Sequence, residues 1–524
     1  MYRRRHGQIN ALERPVYFGG VKLDPENQWV KLVELTPWEQ IEERYAERFE
    51  GVPTGKPAKP ARMAIGTLII KERYRFSDED IVEEIRMNPY LQYYIGLPAF
   101  SHEAPFDAST ITRFRKRATP EMLAEINDIV IGRTKAGDRK SEDPPEDPPS
   151  SDGQSPGNEK EAEKEEVKGE NEGTMILDAT CAPQNIRFPT DMSLLNEARE
   201  KLEKLIDAAH TAGGTNGKKP RTYRKRARWD YLRFARNRKP SKSFLRKSLR
   251  KQLGYVARDL AYLDRILHEY PESLNERQME SRSVIHTLYA QQREMYDQRT
   301  HSVKDRIVSL SQPHVRPIVR GKAKTPVEFG AKIEMSLVGG YARIEKLSWD
   351  AFNEGGTLQE SAERFKADTG RYPARILADK LFRTRENLEY CKEHGIRISG
   401  PRLGRPPNDP SLRQQQRRLE REESGERSAI ECTFGVGKRR YSLGCIMTRL
   451  KHTSEVSAHV SVLTMNLFRR LRLFLLFLRR VFSGVILRLY SSFFPFACDF
   501  LPGSVFSLLL LVTCAGDTIL TSNV

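Results

Sequence analysis

An acidic, proline-rich run at residues 138–172 constrains the fold of this chain more than any other feature. Its 35 positions contain 13 acidic residues, five prolines and no aromatic residue. Such a segment cannot bury enough apolar surface to offset the entropy that is lost when a chain becomes ordered. The sequence therefore predicts a disordered acidic linker at 136–173, with separately folded parts before and after it.

The balance of charge favours a polyanionic partner. The 524 residues include 88 Lys and Arg against 70 Asp and Glu, which gives a formal net charge of +18. Nucleic acid is the first candidate, and an anionic membrane surface is the second. The six cysteines form no CxxC pair, which is typical of reduced thiols. The basic N-terminal segment is followed by no apolar run, so we expect a cytoplasmic protein without an export signal.

The residues before the linker have the periodicity of helices. ARMAIGTLIIKERYRF carries an apolar stripe, and DASTITRFRKR begins with cap-type residues and continues as a basic helix. A short helix after a turn is how a helix-turn-helix presents its base-reading residues, so we predict an N-terminal helical DNA-binding domain at 1–135. A helical bundle with a solvated basic face would explain the same pattern. The candidate DNA contacts here are Arg113, Arg115 and Lys116.

Residues 192–312 also have helical periodicity and predict an all-helical insertion. Within it, residues 218–251 contain 16 Lys or Arg and one acidic residue. This concentration of cations predicts phosphate binding. The candidate contacts are Lys225, Arg226 and Arg228. Aromatic residues such as Trp229 lie among the cations, and they are also explained as anchors that hold a helix to its neighbours.

Three acidic residues stand at positions where they could meet. TMILDA predicts a strand that ends at Asp178, and ARILAD predicts one that ends at Asp379. Two such strands side by side would bring their carboxylates together. Glu431 follows Arg427 by four residues and precedes Lys438 by seven, spacings that place all three on one helix face.

Three carboxylates in one place are suited to divalent magnesium, which prefers hard oxygen ligands. In a two-metal site, one ion activates the attacking water or 3′-hydroxyl group and the other stabilises the leaving oxygen of a phosphodiester. Each acid taken singly has a simpler interpretation as a cap or turn residue. The ordered combination of strand Asp, strand Asp and helix Glu favours the metal site.

The order of these motifs resembles the DDE transposases of bacterial insertion sequences, in particular the insertion-sequence-five group. The matching pieces are ARMAIGTLIIKERYRFSDEDIVEEIRMNPYLQYYIGL with DASTITRFRKR, ILDAT at Asp178, ILADK at Asp379 and RSAIECTFGVGKRRYSLGCIMTRL at Glu431. The family signature of Arg, three residues, Glu, six residues and Lys matches Arg427, Glu431 and Lys438.

The resemblance implies an α/β fold, with an RNase H-like mixed sheet at 174–191 and 313–470, an all-helical insertion and an N-terminal helical DNA-binding domain. It implies that Asp178, Asp379 and Glu431 are the catalytic and metal-binding residues, with Mg²⁺ as cofactor and Mn²⁺ as a substitute. It also implies cleavage at terminal inverted repeats, transfer of the 3′ ends to target DNA, and a homodimer that pairs the two ends. Arg427 and Lys438 would contact the DNA.

The chain departs from its relatives at two positions and at its C-terminus. Ser424 stands where some relatives have a tyrosine before the signature, and Lys380 stands where some have an aromatic residue for base flipping. No hairpin intermediate is therefore inferred. Residues 471–524 form an apolar extension of unknown role. A membrane span is not expected there, because the longest uncharged stretch has 17 residues with Pro502 among them, whereas a spanning helix needs about 20.

Three other functions stay open at this point, and one of them, a membrane-anchored basic protein, is suggested only by the apolar C-terminus. An RNase H-like nuclease or resolvase would use the same metal chemistry without strand transfer. A catalytically inactive DNA-binding protein descended from a transposase is suggested by Ser424 and by the apolar C-terminus, although all three acids are present.

Overall fold

The computed structural model describes residues 16–49, 57–133, 171–213, 219–319, 327–400 and 409–493. The chain divides into two units, Met1–Leu467 and Phe468–Val524. Nearly all of the predicted acidic linker, and the longest uncharged stretch of the C-terminus, lie outside the described residues.

The N-terminal part is helical, as predicted, and begins with a small hairpin. Strands β1 (Val16–Phe18) and β2 (Val21–Leu23) pair antiparallel across a turn in which both glycines have positive φ. The helices that follow are α1 (Gln28–Leu35), α2 (Trp38–Ala46), α3 (Ala61–Tyr74), α4 (Asp78–Met87), α5 (Pro89–Tyr94), α6 (Ala108–Arg117) and α7 (Pro120–Val130).

Helix α3 is the centre of this bundle. Its apolar residues are almost completely buried, including Ile65, Ile69 and Ile70 at 0% exposure. A helix that is apolar on most of its circumference needs neighbours on several sides, and α2, α4, α5 and α6 pack around α3. The Ser77 hydroxyl caps α4 by accepting a hydrogen bond from the Asp80 amide.

Six strands form the larger sheet of the described residues. They are β3 (Thr174–Pro183), β4 (Arg316–Val319), β5 (Val327–Val338), β6 (Tyr341–Ser348), β7 (Arg375–Leu377) and β8 (Arg397–Ile398). Strand β5 pairs antiparallel with β3 on one side, and with β4 and β6 on the other. Strands β7 and β8 extend the sheet from β3 in parallel. This mixed sheet, flanked by helices, confirms the predicted fold class and is consistent with an RNase H-like domain.

Strand β3 corrects one prediction. The sequence predicted a strand that ends at Asp178, but β3 continues to Pro183 and stays paired with β5 as far as Gly330. The continuation is favoured because Cys181 and Ala182 are apolar and buried. A Cβ atom at Gly330 would lie 2.0 Å from the Ala182 carbonyl oxygen, so glycine permits this close approach.

The remaining helices are α8 (Asp191–Ala212), α9 (Arg224–Ala235), α10 (Lys242–Glu269), α11 (Glu276–Gln298), α12 (Leu358–Thr369), α13 (Arg385–Glu393), α14 (Pro410–Arg440) and α15 (Lys451–Phe493). Helices α8 to α11 lie between β3 and β4 in the chain, in the region of the predicted helical insertion. The insertion has an apolar core of its own, with Leu202, Leu263 and Leu288 at 0% exposure. A separate core joins the sheet to α12.

The predicted absence of a membrane span can be examined only over the described part of the chain. No helix there combines the length and the apolar composition that crossing a bilayer requires.

A histidine beside the sheet gives a testable pH dependence. The imidazole of His314 lies 4.3 Å from the ring of Trp349, between ring centroids. Burial, with smaller effects from Lys451 and Arg316, lowers the pKa of His314 to about 4. Because the unfolded chain takes up this proton near pH 6.5, stability should be complete above that pH and decrease as the pH falls towards 4.

We expect that, between pH 7 and 4.5, the wild-type protein loses about 1–2 kcal/mol more unfolding free energy than His314→Phe, which keeps an aromatic ring against Trp349 but cannot titrate. Urea unfolding followed by tryptophan fluorescence at each pH measures the difference. Parallel pH profiles for the two proteins would contradict the assignment.

Candidate active site

Two aspartates occupy equivalent positions on neighbouring parallel strands. In the pairing of β3 with β7, Ile176 lies opposite Leu377. Asp178 and Asp379 each follow two residues later, just beyond the last registered pair. Although β3 does not end at Asp178, the strands are adjacent, as a shared site for the two carboxylates requires.

Both aspartates belong to the face of the sheet against which α14 packs. Side chains alternate between the two faces of a strand. Met175 and Leu177 on β3, with Ile376 and Ala378 beside them, join the apolar core with α12. The alternate positions, which include Asp178 and Asp379, therefore belong to the opposite face, and α14 packs across β3 and β7 on that side.

Helix α14 is joined to four strands of the sheet by ion pairs. In chain order along the helix, the pairs are Glu423 with Arg397 of β8, Glu426 with Arg375 of β7 (2.7 Å), Arg427 with Asp178 of β3 (3.6 Å) and Lys438 with Glu328 of β5 (4.0 Å). The helix thus crosses the strands in the order in which they lie in the sheet. We call this set of four pairs the α14 ion-pair ladder. It holds Glu431 over the strand that carries Asp178.

Arg427 connects two of the three acids directly. Its Nη1 atom lies 3.6 Å from Oδ2 of Asp178, and its Nη2 atom lies 3.3 Å from Oε1 of Glu431. The sequence predicted Arg427 on the face of Glu431, as a contact to DNA. Its pairing with the carboxylates was not foreseen, because it depends on how the helix lies over the sheet.

The electrostatics of Asp178 set it apart from an ordinary strand residue. Burial raises the pKa of its carboxyl group to about 6; the Ala179 amide and Arg427 act in the opposite direction, while Glu354 and Glu431 raise it further. Its Oδ1 atom accepts a hydrogen bond of 2.8 Å from the Ala179 amide. An ionised Asp178 is therefore costly in this environment, and a nearby cation would stabilise it.

Asp379 makes a similar local contact. Its Oδ1 atom accepts a hydrogen bond of 2.6 Å from the Lys380 amide, at the start of a short helical turn after β7. The aspartate is half-buried, whereas Lys380 is exposed. Both aspartates thus orient one carboxylate oxygen by a hydrogen bond to the amide that follows.

Glu354 was missed by sequence reasoning. It lies on a short helical turn after β6, and its Oε1 atom lies 2.8 Å from the Lys332 ammonium group. Its negative charge contributes to the raised pKa of Asp178. No periodicity or motif marks this residue, because an acid in a loop with glycines has no distinctive pattern.

The donor chemistry of the site fits a hard divalent cation. Asp178, Asp379 and Glu431 supply only carboxylate oxygens, the ligands that magnesium prefers. The desolvated carboxyl group of Asp178, with further acids near it, is an environment that such a cation would favour. Among the described residues, however, no three Asp, Glu, His or Cys side chains are grouped closely enough to hold one ion. In this structure the Arg427 guanidinium pairs with two of the three acids.

The predicted DNA contacts are distributed over three parts of the chain. On α6, Arg113 and Lys116 are exposed, but Arg115 is only 7% exposed and pairs with Asp78. The structure therefore does not place Arg115 on the exposed face with its two neighbours. On α9, the predicted contacts Lys225, Arg226 and Arg228 are all exposed. On α14, Arg427 and Lys438 are partly buried and ion-paired.

Comparison with known proteins agrees with this site. Residues 376–468 match the family model described as "Transposase DDE domain", a range that contains Asp379 and Glu431. Residues 20–117 match "Transposase domain (DUF772)", which covers most of the N-terminal bundle. The two matches cover separate parts of the chain and, together with the fold, support a DDE transposase of insertion sequences.

A curated relative has no assigned function. Over 104 residues the chain is 38% identical to "Uncharacterized protein ORF8 in nfe locus" of Rhizobium meliloti, a match that covers 20% of this chain and 49% of the relative. The chain thus spans about half the length of that protein. No solved structure matches the chain significantly.

Proposed function

We propose that this transposase cuts DNA at the terminal inverted repeats of its element and joins the 3′ ends to target DNA, with Asp178, Asp379 and Glu431 as the catalytic, metal-binding residues. The observation that supports the proposal is the parallel pairing of β3 with β7, in which Asp178 and Asp379 each lie two residues beyond the pair Ile176 and Leu377. Arg427 of α14 links Asp178 to Glu431. Mg²⁺ is the proposed cofactor, and Mn²⁺ its substitute.

The acidic and basic residues of the candidate site would have different roles in the reaction. The three carboxylates hold the metal, which when bound activates the attacking oxygen and stabilises the leaving oxygen. Arg427 pairs with Asp178 and Glu431 in the structure. Neutralisation of these acids by a cation would release the guanidinium for a bidentate contact to a DNA phosphate. Lys438, further along the same helix, would contact a neighbouring phosphate.

One experiment tests the reaction. The purified full chain is incubated with Mg²⁺ and DNA that carries the element's ends, and the nicks are mapped at single-nucleotide resolution. We expect nicks at the ends of the element. With pre-cut ends and a supercoiled target plasmid, joined products support strand transfer, whereas nicking without joining favours an RNase H-like nuclease or resolvase. DNA binding without nicks would favour a catalytically inactive transposase-derived protein.

The proposed partners follow from this reaction. Double-stranded DNA is bound both as the terminal repeats and as the target. Since two ends are joined together, we propose a homodimer in the end-paired complex, at the chromosomal DNA in the cytoplasm. Sedimentation of the protein with end DNA should give two chains for two ends.

The exposed face of α6 is proposed to contact duplex DNA. Replacing Arg113 and Lys116 together with glutamine should weaken binding to end DNA. It should also reduce the slope of log K against log salt by about 1.8, since two phosphate contacts are lost. Fluorescence anisotropy across a salt series measures both quantities.

Arg115→Gln is the matched control from the same helix. Arg115 is buried against Asp78, so its loss should lower thermal stability and leave the salt dependence of DNA binding nearly unchanged at a temperature where the protein is folded. Equal changes in salt slope for the two variants would show that α6 does not contact phosphate through its exposed face.

A further inference from the structure

A basic groove lies in the helical insertion, between α9 and α10. It encloses a cavity of about 670 Å³, lined by cationic and tyrosine side chains together with one glycine. The cationic residues are Arg226, Lys247, Arg250, Lys251 and Arg258. The helical insertion has its own apolar core, which is separate from the core that joins the sheet to α12. The groove is therefore distinct from the candidate site of the three acids.

Most of the groove is one face of α10. The lining residues on α10 lie between Lys247 and Tyr262. Many of them are three, four or eight residues apart, and residues at these separations lie on the same side of a helix. Fifteen residues of α-helix extend over roughly 22 Å. The cations therefore form a row along the groove, as a repeating anion requires.

The charge of this row is largely uncompensated. Lys251 lies 2.7 Å from Asp230, the single acid of this segment, which also accepts a hydrogen bond from Tyr255. Within the described part of the chain, Lys247 and Arg250 take part in no ion pair, whereas the charge of Arg226 acts on Asp230. Like charges held this close together repel, and an anionic ligand would relieve the repulsion.

Tyrosine rings line the same groove. The guanidinium of Arg258 lies 4.8 Å from the ring centroid of Tyr223 and 5.5 Å from that of Tyr255. Tyr223 is 40% exposed and has a φ of 55°, in the left-handed region that non-glycine residues rarely adopt. Such strain is commonly found at functional positions. It holds an accessible aromatic ring beside the row of cations.

Gly254 keeps the middle of the groove open. A glycine inside a long helix costs about 1 kcal/mol relative to alanine. A Cβ atom at this position would meet no atom within 4 Å, so packing of the chain itself does not require glycine. The missing side chain leaves space for a ligand to approach the backbone of α10.

We propose that this groove binds single-stranded DNA, with phosphates along the cations of α10 and a base against Tyr223. A positively charged groove combined with accessible aromatic rings is how proteins bind single strands without sequence preference. The choice of DNA rests on the proposed function, in which strand ends are cut and moved.

The test uses the full chain and a fluorescent oligo-dT of 12 nucleotides in EDTA, so that no cleavage is needed. Lys247→Gln with Arg250→Gln should lower affinity about tenfold and reduce the salt slope by about 1.4, as expected for two lost contacts to a single strand. The matched control is Arg236→Gln with Arg238→Gln, which removes the same charge from exposed positions outside the groove. We expect the control to change the affinity by less than twofold and to leave the salt slope nearly unchanged.

A second pair of variants tests the open position. Gly254→Glu should abolish oligo-dT binding. Gly254→Gln, which adds a side chain of nearly the same size but no charge, should weaken the binding less. Both variants should have a melting temperature no lower than that of the wild type, because glycine is the poorer helix former. Any one of three results would overturn the proposal. These are equal losses of affinity in the groove and control variants, unchanged oligo-dT binding by Gly254→Glu, and a loss of affinity for a 12-base-pair duplex alone.

These results are independent of the catalytic assignment. Normal nicking together with absent single-strand binding would remove the groove proposal and leave the proposed function intact. Binding of oligo-dT by a protein that never nicks its end DNA would do the reverse.

Discussion

Replacing any one of the three acids, as Asp178→Asn, Asp379→Asn or Glu431→Gln, is expected to lower DNA cleavage by roughly 100- to 1000-fold or more, while the affinity for end DNA stays within a few-fold of the wild type. The side chains keep their size, so the folded protein and its DNA contacts persist. Each change removes a charged oxygen that the proposed metal site requires. Nick mapping in Mg²⁺ and anisotropy in EDTA measure the two quantities separately.

Two controls make this expectation specific. Glu360→Gln removes a carboxylate from the exposed side of α12, where the Glu360 side chain is 66% exposed, and should leave cleavage unchanged. Glu354→Gln removes a charge that acts on Asp178 but is paired with Lys332. This variant should therefore change the pH dependence of cleavage more than it changes the maximal cleavage rate. Near-normal cleavage by any of the three principal variants would mean that the replaced acid is misassigned.

The second large effect is expected from Arg343→Met, which should lower the free energy of unfolding by about 3 kcal/mol or more. Arg343 of β6 lies 2.9 Å from Asp128 of α7 and also pairs with Asp368 of α12. Its side chain is 11% exposed, and those of the two acids are 16% and 8% exposed. Without the guanidinium, two nearly buried carboxylates lose their main partner. Urea titration followed by circular dichroism measures the loss.

A second arginine supplies the comparison. Arg293 pairs with Asp297 on the exposed surface of α11, and surface pairs of this kind contribute little because water screens them. Arg293→Met should therefore leave the urea midpoint nearly unchanged. If Arg343→Met also left the urea midpoint unchanged, the ion pairs that connect α7, β6 and α12 would not contribute to stability.

Local patterns explain which parts of the fold were predictable. Helix α3 has an apolar run long enough to exclude a strand, the start of α4 has its capping residues, and the β5–β6 hairpin has glycines at its turn. In each case the physical cause lies within a few residues of its effect. The three acids were likewise visible as candidates for a metal site, because carboxylates in this order have a known chemical use.

The rest depended on contacts between distant residues. The pairing partner of β3 decides its length, and this partner, β5, follows the whole helical insertion. The three cations of α6 look equivalent in the sequence, yet only Arg115 turns inward to Asp78. The pairing of Arg427 with both acids requires α14 to lie across the sheet in one register. Such information is absent from any single segment.

The α14 ion-pair ladder makes the spacing of residues on α14 as important as their identity. Successive residues on a helix are rotated by about 100°. One extra residue inserted between Glu426 and Glu431 would leave Glu423 and Glu426 paired with their arginines. It would rotate the part of α14 that follows the insertion away from the aspartates. A frame-preserving insertion at this point would therefore disconnect the glutamate from the sheet without removing a single acid from the chain.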